Sequence, residues 1–309
     1  MVCRYAGVIL AVVGLGGGSV YAVLEIPISA LTVQAELSRG GDYFGFGFGA
    51  LWFMSGPKLI RVDAADNSTS DTFVKGATGE VRGVGFSQDA VWLADAGSQK
   101  IYKVDPISRT VTMEIFAEMY GREGSIGVGA GSVWLVTQGD RVLARFNIET
   151  GDAEPPVNLP SDISTVTFAY GAAWAAGFGN SELYRIDPVA GVITDSIPIV
   201  ARPLSITACE GGIWVLGQGD HVVQHIDPKT REVVASIDTG RENGWGEISC
   251  GGGYLWFSLP GVPVAQIDPR RNELVRVFVG TDCGRSVAFG GNSLWVGGAP
   301  LLRLAPPPL

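Results

Sequence analysis

The sequence predicts an all-β fold, a seven-bladed β-propeller with four antiparallel strands per blade whose last blade is closed by the N-terminal strand. Three observations predict it. Seven of the eight Trp, at 52, 92, 134, 174, 214, 256 and 295, recur every 39 to 42 residues, the period of a four-stranded propeller unit. Apolar residues stand two apart upstream of each Trp, which is the strand period with one face buried. Gly is 44 of 309 residues without a collagen-like period, so tight turns are many.

Each unit reads as an inner strand, a Trp strand, a third strand and an outer strand. Eight residues before the Trp stand Val84, Ile126, Val166, Ile206, Ile248 and Val287; six before it stand Phe86, Val128, Phe168, Ala208, Cys250 and Phe289. In the first unit the pair is expected at Phe46 and Phe48. The third strand ends on a recurring landmark, Arg61-Val62-Asp63, Lys103-Val104-Asp105-Pro106, Arg145-Phe146-Asn147, Arg185-Ile186-Asp187-Pro188, His225-Ile226-Asp227-Pro228 and Gln266-Ile267-Asp268-Pro269. Asp or Asn there bonds its own backbone two residues on, and Pro presets φ, so the strand ends in a type I turn. The outer strand follows, as in Thr110–Ile115, Glu232–Ile237 and Leu274–Val279. Pro155-Pro156 in the third unit is compatible with an edge strand.

The last unit, Ser286 to Pro306, holds three strands, and Ala30–Leu37 has the pattern of the missing outer one. Pairing the two would remove an open sheet edge. Upstream, residues 5–24 carry no charge; Arg4, the apolar run Ala6–Leu15 and the small-x-Ala ending Val20-Tyr21-Ala22 have the layout of a secretory leader cleaved after Ala22. About 20 uncharged residues could equally stay as a membrane anchor. The expected organisation is therefore 1–22 leader or anchor and 23–309 one propeller domain, located outside the cytoplasm (periplasmic or secreted), without membrane contact once the leader is cleaved, and monomeric. The net charge of −9 opposes a nucleic-acid partner.

Units such as Gly127-Val128-Gly129-Ala130-Gly131-Ser132-Val133-Trp134, with Tyr184-Arg185-Ile186-Asp187-Pro188, resemble the seven-bladed YVTN-repeat propellers, and the streptogramin (virginiamycin B) lyase-like group in particular, over about residues 30–306. The resemblance implies a funnel-mouth active site in which His and Glu from the entry loops hold magnesium and supply the base. The His would be expected at Leu204 or its counterpart Gly246, and no entry loop of this chain offers one.

In a propeller the loops entering the inner strands form the mouth of the axial channel. Here they carry Asp42, Tyr43, Glu80, Arg82, Arg122, Glu123, Asp162, Ser164, Arg202, Asn243, Trp245, Glu247, Asp282 and Arg285. Convergent Arg could clamp a carboxylate or phosphate bidentately; they could also pair with the neighbouring acids as a solvated rim. Trp245 could stack on a ligand or pack on the next blade. The carboxylates could ligate Mg or Ca through oxygen. Two functions follow. One is a binding scaffold for a small polar or anionic ligand, a glycan or a protein at the channel mouth. The alternative is a divalent-metal-dependent lyase or lactone hydrolase using carboxylates there.

His221 and His225 are the two histidines, four apart near the third strand of the fifth unit. A zinc site needs three or four ligands, so His221 is expected as an exposed turn residue, like Gln138-Gly139-Asp140 in the third unit. Cys209 and Cys250 are expected as small buried packers and Cys283 as an entry-loop thiol, with no disulfide assumed. The Gly-rich run Gly45–Gly49 lacks the strand-then-helix context of a phosphate loop. Asn67-Ser68-Thr69 is a glycosylation sequon.

Overall fold

A computed structural model describes residues 23–38, 40–41, 43–119, 126–137, 139–241, 244–280, 286–298 and 300–307. Seven antiparallel sheets follow one another, each numbered outward from its inner strand. The first blade is Gly45–Gly47, Ala50–Ser55, Lys58–Asp63 and Thr69–Phe73. The inner strands of successive blades contact one another around the ring, the seventh meeting the first. Val33–Leu37 completes the seventh blade, with Val33 opposite Leu304 and Leu37 opposite Leu301, as the sequence pattern requires. The expected leader, residues 1–22, lies outside the described residues.

One element has no counterpart in the repeat. Leu24–Pro27 adds to the sixth blade as a fifth strand, parallel to Glu273–Val279. A single 3-10 turn, Ile28–Ala30, then leads to the closing strand. Ile28 and Leu31 are buried between the sixth and seventh blades, so the segment fills that junction and shields the outer edge of the sixth sheet.

The Trp column is the architectural key. All seven rings are at most 1% exposed, and each indole needs an acceptor when buried. Six donate Nε1–H to the carbonyl five residues upstream, as in Trp134 to Gly129 at 3.2 Å and Trp256 to Gly251 at 2.9 Å; Trp92 uses Ser87 Oγ at 3.1 Å. Above the ring sits the residue that pairs with the Trp from the third strand: Arg61 on Trp52, Lys103 on Trp92, Arg145 on Trp134, Arg185 on Trp174 and Arg303 on Trp295. His225 takes this place on Trp214, stacked at 4.0 Å and 11°, while its Nδ1 meets Asn272 Oδ1 at 2.7 Å. That is a packing role. His221 Nδ1 instead meets the Arg241 carbonyl at 2.9 Å, and no group of three potential metal ligands occurs among the described residues.

The Asp turns form as expected. Asp187 Oδ1 accepts from Val189 and Ala190 N–H at 2.8 and 2.9 Å, and Asn147 does the same for Glu149 and Thr150. The fifth turn residue is left-handed: Asn67, Arg109, Gly151, Gly191, Arg231 and Asn272. The sequon residue Asn67 accepts from Arg303 at 2.7 Å, so its amide serves blade closure.

Two expectations are corrected. In the first blade Gly45 pairs with Trp52 and Phe46 with Leu51, the register of Gly127 and Val128 in the third. Phe44 and Phe46 therefore hold the two apolar columns, and Phe48 is a turn residue with φ 52°. Cys209 and Cys250 are half-buried and bonded to each other, with Cα atoms 6.2 Å apart. Adjacent inner strands bring the two within bridging range; sequence columns taken one blade at a time do not reveal that contact. Cys283 lies outside the described residues.

Candidate functional site

The inner strands enclose an axial cavity of about 390 Å³. Much of its polar lining comes from one sequence column, nine residues before the Trp: Tyr43, Thr165, Ser205 and Glu247, with Gly83 in the second blade. Ser286, of the same column in the seventh blade, donates to Glu247 Oε1 at 3.1 Å and accepts the Tyr43 N–H at 3.3 Å. Thr207 and Ser249 extend the lining downward. Below them Phe46, Phe289 and Cys250 make the wall apolar.

Local structure holds the charged members in place. Glu247 is clamped to Ser258 of the Trp strand: its N–H donates to Ser258 Oγ at 3.1 Å and its carbonyl accepts the Ser258 N–H at 3.0 Å. A Cβ at Gly246 would overlap the Ser258 carbonyl, so only glycine permits this approach. Arg82 follows an entry loop fixed by the buried Asp95 carboxylate, which accepts Thr78 N–H at 2.6 Å, Thr78 Oγ1–H at 2.7 Å and Gly79 N–H at 3.3 Å. Arg82 is half-buried and lines the cavity, and no carboxylate pairs with it among the described residues.

Of the residues expected at the mouth, Tyr43, Arg82 and Glu247 thus meet in one cavity. Glu80 is exposed and lines a smaller neighbouring cleft of about 240 Å³ with Tyr43 and Arg82. Asp162 is held by its own blade, accepting from Ser161 Oγ at 3.1 Å. Arg202 is exposed and lies 5.7 Å above the Phe178 ring. Trp245 is half-buried and does not line the cavity. Asp42, Arg122, Glu123, Asn243, Asp282 and Arg285 lie outside the described residues. The hydroxyls Thr165, Ser205, Thr207 and Ser249 were not expected. The polar column that contains Thr165 and Ser205 is legible once the seven Trp are aligned.

Solved structures share this architecture. A streptogramin B lyase superposes with a TM-score of 0.75 at 19% identity, covering 87% of this chain and 96% of that one. The fold is that of the streptogramin B lyases. A catalytically inactive His-to-Ala variant of virginiamycin B lyase from Staphylococcus aureus, with quinupristin, gives 0.74 at 18% identity over 88% and 99% of the two chains. The selenomethionine-substituted lyase from the same organism gives 0.74 at 17% over 90% and 100%. No family model and no curated protein sequence matches the chain. Identity this low establishes the lyase fold alone. Leu204 and Gly246, where the resemblance implies a histidine, both line the cavity in the same sequence column as Arg82. The described donors there do not assemble the His and Glu set that would hold magnesium.

Proposed function

We propose that the chain is an extracytoplasmic binding scaffold whose channel mouth takes a small polar ligand bearing a carboxylate or phosphate. The observation that carries this reading is Arg82. Arg82 is half-buried, has no ion pair among the described residues, and shares the cavity lining with Tyr43, Thr165 and Ser205. Guanidinium binds oxyanions bidentately, and Thr165, Ser205 and Tyr43 add orienting hydroxyls. The Cys209–Cys250 bond supports an oxidising compartment.

The test is calorimetric titration with malonate and with inorganic phosphate. Saturable binding of either, lost in Arg82→Ala with an unchanged melting temperature, supports the assignment. Binding by neither anion, or equal binding by the variant, refutes it.

The lyase or lactone-hydrolase reading has one observation in its favour, the Glu247 carboxylate in the wall of the same cavity. It predicts a melting temperature that rises with Mg²⁺ or Mn²⁺, falls back with EDTA, and loses this response in Glu247→Ala. No ion response removes that reading.

A further inference from the structure

We propose a second anion site on the opposite end of the ring, in the cleft between the first and second blades, for a carboxylate attached to a small apolar body. The repeat itself supplies the argument, because two junctions share a pair of arginines and differ in the residue opposite the first of them.

At the junction of the fourth and fifth blades two arginines face each other. Arg185 lies over Trp174, and Arg231 is the left-handed turn residue of the next blade. Asp195, opposite Arg185 in the outer strand, joins them: 3.0 Å to Arg231 and 3.8 Å to Arg185. The junction of the first and second blades repeats the two arginines. Arg61 lies over Trp52, and Arg109 is the left-handed turn residue of the next blade. Opposite Arg61, however, stands Ser70, whose buried hydroxyl has no hydrogen-bond partner among the described residues. No carboxylate stands opposite Arg61 in the outer strand, and Arg61 and Arg109 line a cleft of about 620 Å³ between the two blades.

The acids around this cleft are engaged by their own blades. Asp63 pairs with Arg61 at 2.8 Å, Asp89 with Lys103 at 3.1 Å, and Asp105 accepts the turn N–H groups of Ile107 and Ser108. Arg109 is half-buried with no ion pair among the described residues. An Arg109 without an ion pair, beside an Arg61 that meets Asp63 through Nη2, favours an external oxyanion.

The rest of the lining sets the ligand class. Phe48 is 40% exposed and Ile107 89% exposed, and both face the cleft with Pro106. At the fourth–fifth junction the corresponding pair is Tyr170 and Lys229, so an apolar pair flanks the arginines only where the acid is absent. An aryl or alkyl carboxylate would set its oxygens between Arg61 and Arg109 and its body on Phe48 and Ile107. This site is independent of the channel mouth.

Benzoate is the probe, titrated calorimetrically and by ligand-observed NMR, with benzamide and acetate as controls. Saturable benzoate binding is expected, at least tenfold tighter than either control. Ser70→Asp, which rebuilds the internal bridge, and Arg109→Ala should each weaken it at least tenfold, while Arg82→Ala leaves it unchanged. Arg109→Gln serves if the alanine variant folds poorly. The proposal fails if benzoate does not bind, if Ser70→Asp binds it as well as the parent, or if Arg82→Ala abolishes binding.

Discussion

Cys209, at the end of one inner strand, is bonded to Cys250 of the next, in the place where other junctions set a phenylalanine onto a glycine. At four junctions the residue five before one Trp faces the residue six before the next: Phe168 covers Gly129, Phe289 covers Gly251, Phe46 covers Gly290 and Phe86 covers Gly47. A large ring fills the space a missing Cβ leaves, and two of these rings also stack on the preceding Trp, at 6.5 Å for Phe168 on Trp134 and 6.0 Å for Phe289 on Trp256. At the fifth–sixth junction the two small side chains are joined covalently instead.

Removing that bond should therefore destabilise the ring. With the partners 41 positions apart in sequence, loop-closure entropy alone assigns the bridge about 4 kcal/mol. Urea unfolding of Cys250→Ser, against the oxidised parent, reads this directly. The double substitution Cys209→Gly with Cys250→Phe installs the interlock of the other junctions and should recover part of the loss. No recovery would mean that the junction is shaped differently from its neighbours.

The glycine half of the interlock is testable alone. In Gly129→Ala the new methyl would overlap the Phe168 ring, whereas in Gly127→Ala, two residues upstream, the nearest atom is an ordinary 3.4 Å away. Over-packing costs about 1–3 kcal/mol, more than the few tenths to one gained by restricting the unfolded chain. Gly129→Ala should lower the urea midpoint and Gly127→Ala should leave or raise it.

Much of this was legible in the sequence. The Trp spacing, the alternating columns and the Asp turns prescribe seven four-stranded units, and Ala30–Leu37 carries the outer-strand pattern that closes them. Contacts between blades are what the columns hide. The Cys209–Cys250 bond and the Phe-on-Gly packing join residues of neighbouring blades, so they emerge only when one unit's column is set against another column of the next. The first-blade slip arose because Phe44, Phe46 and Phe48 share one parity, and strand period alone cannot choose among them. At the mouth, the charged Glu80, Asp162 and Arg202 do not line the cavity, while the uncharged Thr165 and Ser205 do.

Acid should weaken the fold through its turns. The Asp63, Asp105, Asp187 and Asp227 carboxyls are held below the ordinary carboxylate range, chiefly by the backbone N–H bonds of Ala65, Ser108, Ala190 and Thr230. A carboxyl whose folded pKa is depressed contributes stability that is fully present above the unfolded value of about 3.9 and disappears as pH falls through the lower folded value. Urea midpoints should therefore fall from about pH 5 downward. Asn147 performs the same turn without a charge, so replacing the four Asp by Asn should keep the fold at neutral pH and flatten the acid limb. An equally steep limb in that variant would place the titrating groups elsewhere.

Arg303 should matter most where the ring closes. Only 8% exposed, it donates to Ser293 Oγ at 2.9 Å, to Asn67 Oδ1 of the first blade at 2.7 Å and to the Gly291 carbonyl at 3.3 Å. Ser293 in turn donates to Gln34 of the closing strand at 2.7 Å. One guanidinium thus ties the seventh blade to the first and, through Ser293, to the N-terminal strand. Arg303→Met keeps an apolar cover on Trp295 but strands the acceptors, a loss of about 1–3 kcal/mol. Arg185, 28% exposed over Trp174, makes the same stacking contact without that role, so Arg185→Met should cost less. Hydrogen exchange locates the effect: amides of Val33–Leu37 should exchange faster in Arg303→Met and not in Arg185→Met. Equal protection in both variants would show that the strand is held by its backbone ladder alone.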